Sequence, residues 1–126
     1  MTTMKNLLAA ALIGLSTLAA GGALAHGGAT PKHGGVVQTA SDLSFELVGT
    51  ADGAVIYVED HGKALAPTGF SGKLTVLNGT EKSEAPIAVA ADKLEAKGVK
   101  LGKGAKVVAA LTTPKQKAIT VRFTVK

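Results

Sequence analysis

Ala118-Ile119-Thr120-Val121-Arg122-Phe123-Thr124-Val125-Lys126 is the stretch whose reading decides the fold. Ile119, Val121, Phe123 and Val125 fall on one side of an extended chain, and Thr120, Arg122, Thr124 and Lys126 on the other. Successive side chains of a strand point to opposite faces, so this is a strand with one face buried and one solvated. No helix produces that period. Working back along the chain, Lys106 to Leu111 is a nearly continuous apolar run, as a central strand requires. Lys93 to Ala96 makes a short strand, and Ala85 to Ala91 alternates loosely through Ile87 and Val89. The alanines between 85 and 95 make this the one place where a helix competes. Lys73 to Leu77 is a strand closed by Asn78-Gly79, a strong hairpin-turn pair. Ala54 to Val58 and Leu43-Ser44-Phe45-Glu46-Leu47-Val48 flank the turn pair Asp52-Gly53, and Gly35 to Ala40 precedes the turn at Ser41-Asp42. Between these strands, Glu59 to Thr68 reads as a loop.

Short strands at regular spacing with turn signals between them predict an all-β fold, here a single antiparallel β-sandwich of immunoglobulin-like type with about seven or eight strands. Phe45, Tyr57, Phe70 and Phe123 are the large core candidates. The sequence divides into residues 1–25, 26–34 and 35–126. In the first, Lys5 precedes an apolar run from Leu7 to Leu18, and Ala23-Leu24-Ala25 has the small-x-small form that signal peptidase cuts. This predicts a signal peptide cleaved after Ala25, a periplasmic location, and no membrane span after cleavage, since the run is shorter than the roughly 20 residues a span needs. Residues 26–34 are a glycine-rich arm that Pro31 keeps out of a helix, and 35–126 is the sandwich.

The chain has no cysteine, and its two methionines, Met1 and Met4, lie in the signal. The mature chain thus offers a metal no sulfur ligand, which excludes thiolate zinc sites and thioether sites for Cu(I). Imidazole, carboxylate, amine and backbone remain, and these favour Cu(II), Zn(II), Ni(II) or Co(II). All three histidines, His26, His33 and His61, fall outside the predicted strands. His26 and His33 sit in the arm within about 24 Å of each other at full extension. Cleavage after Ala25 makes His26 the first residue, so that its amine and imidazole chelate one ion together, an arrangement suited to tetragonal Cu(II). Asp60, beside His61, is a fourth ligand or accepts a hydrogen bond from a ligating ring. The competing reading makes all three histidines solvated loop residues.

Catalytic constellations are missing from the sequence. No cysteine nucleophile, Gly-x-Ser-x-Gly turn or phosphate loop is present, and the nearest carboxylates, Glu59 and Asp60, point to opposite sides of a strand. A non-enzymatic protein is expected. The net charge of +5 is mild. Lys93, Lys97, Lys100, Lys103 and Lys106 recur at near-helical spacing, but Gly98, Gly102 and Gly104 interrupt a helix there. No aromatic residue interleaves with them to stack on bases, so no nucleic-acid partner is expected.

His33-Gly34-Gly35-Val36-Val37, Leu43 to Val48, Ile56-Tyr57-Val58-Glu59-Asp60-His61-Gly62-Lys63, Leu94-Glu95-Ala96-Lys97-Gly98 and Val121-Arg122-Phe123 resemble small periplasmic proteins encoded with heavy-metal efflux systems. They are also similar to an accessory domain of the membrane-fusion adaptors of copper and cobalt–zinc–cadmium exporters. The resemblance implies periplasmic metal handling without naming ligands. A weaker likeness is to copper-resistance β-sandwich proteins whose mature chain begins with histidine and which bind Cu(II) through that histidine, an aspartate and a second histidine. His26, Asp60 and His61 would take those parts, although here the last two are adjacent where that family separates them by one residue. The expectation is a periplasmic protein that binds a divalent metal, copper first, through His26, His33, His61 and Asp60, and buffers or delivers it to an efflux system. The alternative is a metal-independent envelope module that docks on an efflux adaptor or another periplasmic protein.

Overall fold

The computed structural model of the chain describes residues 30–126. The export signal assigned to residues 1–25 and the candidate ligand His26 lie outside the described residues. Alternating sequence becomes strand throughout: β1 (Val36–Ala40), β2 (Leu43–Thr50), β3 (Gly53–Asp60), β4 (Lys63–Ala64), β5 (Ser71–Asn78), β6 (Glu81–Ala90), β7 (Lys93–Lys97), β8 (Lys106–Thr112) and β9 (Ala118–Thr124). The described residues contain no helix. Alanine-rich 85–95 is two strands joined by the turn Ala91-Asp92, because Ala85 and Ile87 point into the core while Glu84, Pro86 and Ala88 face out, a period of two that a helix cannot supply.

The strands are antiparallel and run in the order β1-β2-β3-β7-β6-β5-β8-β9, with β4 paired to β3. Two separate sheets of an immunoglobulin-like sandwich were expected. Instead one continuous nine-stranded sheet curls until its outer strands, β1 and β9, approach within 8 Å, nearly closing a barrel. The physical reason lies in β6. Its residues Glu81 to Ile87 pair with β5, and Ala88 to Ala90 pair with β7. A strand that changes partner along its length turns a corner and welds two layers into one sheet. Pro86, which lacks an N–H to donate, sits just before the change.

The inward faces converge on one core, with Phe45, Leu47, Leu74, Leu94, Leu111 and Val121 essentially sealed from solvent. Each such side chain contributes about 1.5–3 kcal/mol by leaving water. Phe45, Phe70 and Phe123 are buried as expected. Tyr57 is only half-buried and alternates with the core residues Ile56 and Val58, which puts it on the outer face of β3.

Ser41-Asp42 is the turn its sequence predicts, whereas the turns signalled by Asp52-Gly53 and Asn78-Gly79 sit one residue earlier and one residue later. The β2–β3 loop is Ala51-Asp52, because Thr50 pairs with Gly53. Gly53 is already strand, where a Cβ would run into the carbonyl oxygen of Ala96 on β7; it serves close strand approach rather than the turn. The expected 59–68 loop is also shorter. β3 runs to Asp60, which pairs with Lys63, so that His61-Gly62 is a two-residue hairpin turn. Both turn residues have positive φ, +52° and +85°, as the mirror-image turns favoured in hairpins require.

Candidate functional site: the arm, Glu46 and the His61 turn

Glu46 lies on β2 between Phe45 and Leu47, which point into the core. Its carboxylate therefore emerges on the outer face, opposite Tyr57 of β3 and Val37 of β1. Yet only 6 % of the residue is exposed. The arm covers it. The backbone N–H groups of Lys32 (3.0 Å), His33 (2.8 Å) and Gly35 (2.8 Å) all donate to the two Glu46 oxygens. His33 Nδ1 is 3.0 Å from Oε1, and since an ionised carboxylate only accepts, Nδ1 carries the proton and donates. The His33 ring lies flat on Tyr57, with centroids 3.6 Å apart and planes inclined by 6°. Lys93 Nζ approaches the same tyrosine at 6.0 Å from the ring centroid.

Gly34, at φ +77°, supplies the reversal that lets the arm double back. Lys32 then reaches along β3, where its Nζ pairs with Glu59 at 2.7 Å and donates to the Gly62 carbonyl at 3.2 Å. A segment expected to be flexible is thus fastened at four points. Burial acts to raise the Glu46 pKa. The backbone donors Lys32 and Gly35, the His33 ring and the His33 N–H together outweigh it and lower the pKa from 4.5 to about 2.

His61 and Asp60 form a second carboxylate–histidine pair, with Nδ1 2.5 Å from Oδ1. This pair is open to solvent, the side chains being 83 % and 50 % exposed. In both pairs the carboxylate engages Nδ1, which leaves Nε2 as the ring atom available to coordinate, the orientation that carboxylates impose on ligating histidines. The two rings do not meet. Among the described residues, no three His, Cys, Asp or Glu side chains gather as a metal-holding group. Lys32 links the arm to the His61 turn, and His33 is exposed as expected, but its ring is engaged with Glu46 and Tyr57 rather than free to converge on His61. The hollow beneath the arm, between Val37, Ser44, Glu46 and Tyr57, has a volume of about 10 Å³, room for about one water and no substrate.

Sequence reasoning missed Glu46, Lys32 and Tyr57. The available signal was the pairing register. A turn at Ala51-Asp52 sets Glu46 opposite Tyr57, whereas a turn at Asp52-Gly53 sets Glu46 opposite Glu59 and hides the cluster. No known protein family, no curated protein and no solved structure matches this chain.

Proposed function

We propose that this chain is a periplasmic protein that binds a divalent transition metal, copper first, and buffers it or delivers it to an efflux system. The observation that carries this reading is the shared orientation of the two described histidines. Each has Nδ1 committed to a carboxylate and Nε2 left as a donor. His61 is the more accessible and serves as the ligand on the scaffold, with Asp60 orienting its ring. The Lys32 side chain is bonded to Gly62, so His26, six residues upstream, is tethered to the His61 turn by at most about 20 Å of backbone plus the length of that lysine side chain. Its imidazole and, after cleavage behind Ala25, its amine complete the donor set. His33 fastens the arm and offers its Nε2 as a further donor. The scaffold in this reading is a flattened barrel whose opposing layers pack as a sandwich does. The likeness to periplasmic efflux proteins supports the compartment and the cargo.

Titration of the processed chain with Cu(II), its N-terminus checked by mass, tests the reading. One equivalent should bind, and binding should weaken below about pH 6.5 as the imidazoles protonate. One residue added ahead of His26 should weaken uptake if the amine coordinates. Uptake unchanged in the triple variant His26→Ala, His33→Ala, His61→Ala would overturn the metal site.

A further inference from the structure

The sheet leaves one seam unsewn. β1 and β9 face each other at the two ends of the strand order, and no backbone hydrogen bond joins them among the described residues. Counting around the antiparallel sheet, the two edges run in opposite directions. A hollow of about 180 Å³ is shared by Val36 and Val125, and one of about 340 Å³ by Gln38 and Phe123. Exposed strand edges carry rows of N–H and C=O groups that another strand can pair with.

Charge singles out the occupant. All nine acidic residues lie at or before Glu95, and eight lysines and arginines follow it. Lys106 and Arg122 line the larger hollow, and Lys126 the smaller. None of the three has a carboxylate within salt-bridge distance among the described residues, whereas Lys32, Lys73, Lys82, Lys93 and Lys97 are paired. A second copy of the chain would bring the same cations against themselves, which disfavours edge-to-edge self-pairing. A nucleic acid finds no stacking platform, since Phe123, the one aromatic of β8 and β9, is buried. A bilayer finds no apolar anchor there, because the exposed large hydrophobic residues, Leu77 and Val89, lie on β5 and β6.

We propose that this seam receives an extended acidic segment of a partner protein. The segment adds as a strand to the open edge of β9 and sets its carboxylates against Lys106, Arg122 and Lys126. Backbone pairing supplies the affinity and charge supplies the selection. Two ladder spacings need roughly 9.6 Å, so β1 must yield by at least about 1.6 Å wherever it now lies within 8 Å of β9.

The probe is a peptide of about eight residues alternating glutamate and valine, titrated into the full chain at low and high salt. Saturable binding that weakens with salt is expected, together with slowed amide exchange along β9. Three controls should each bind at least about tenfold more weakly: a lysine–valine peptide, an N-methylated glutamate–valine peptide that keeps the charge but cannot build the ladder, and the original peptide with the Arg122→Glu protein. Arg122 is exposed, so that variant keeps its fold, which the unfolding midpoint verifies. Equal binding of the N-methylated peptide would overturn strand addition. No binding of the glutamate–valine peptide would overturn the proposal, as would Arg122-dependent binding of a single-stranded oligonucleotide or phosphatidylglycerol vesicles in its place.

Discussion

Two carboxylate–histidine pairs stand a few residues apart on this molecule, and they are opposites. In the Glu46–His33 pair, the carboxylate is buried under the arm and takes four hydrogen bonds, three of them from backbone. In the Asp60–His61 pair, two sequence neighbours meet in open solvent at a turn. The chemistry of the pairs is the same. What differs is desolvation. A buried carboxylate is costly unless every lone pair is met, and where the arm meets them all the charge becomes a fastening. An exposed pair is screened by water and contributes little. The first pair is built to hold the chain, and the second leaves its ring available.

The largest effect expected from breaking this contrast is at Glu46. Its carboxylate titrates near 2 in the fold against an ordinary 4.5, so it stabilises the folded state fully above about pH 4.5. That contribution, on the order of 3 kcal/mol, fades as pH falls toward 2. Chemical denaturation of Glu46→Gln at neutral pH should show a loss of that order, and its stability should lose most of the acid dependence. An unchanged slope between pH 4.5 and 2 would mean that the arm does not hold this carboxylate.

A smaller effect is expected at His33. His33→Ala removes the Nδ1 bond and the stack on Tyr57 but keeps the backbone donor, for a cost of about 1–2 kcal/mol. Faster amide exchange at Lys32 to Gly35 should accompany it. The smallest effect belongs to the exposed pair. Asp60→Ala and His61→Asn should each shift stability by no more than about 0.5 kcal/mol, since asparagine also tolerates the positive φ at position 61. If either matched the loss at Glu46, the distinction between the pairs would fail.

Much of the fold was legible because alternation is a local signal. Leu43 to Val48 and Ala118 to Phe123 declare their inner faces without reference to any other strand. The partner change along β6 was not, because it depends on which strands lie beside Glu81–Ile87 and Ala88–Ala90, and those partners are set by curvature of the whole sheet. At the candidate site, the histidines were visible as residue types, but the partners of Glu46 are backbone amides 11 to 14 residues upstream. A backbone amide has no letter in the sequence. Tyr57 went to the wrong face because size was weighed above its position between Ile56 and Val58.

The strand order also sets a timetable for folding. Apart from the short β4, the neighbour of β3 on its far side is β7, whose residues Leu94 to Lys97 pair with Gly53 to Ile56. Some forty residues of chain must therefore follow β3 into the folding compartment before that flank is covered. Until then the incoming polypeptide shows Ala54 and Ile56, later buried, beside an unpaired edge, a pattern that invites aggregation. For this molecule, the hazardous moment in its making falls just before residue 97 arrives.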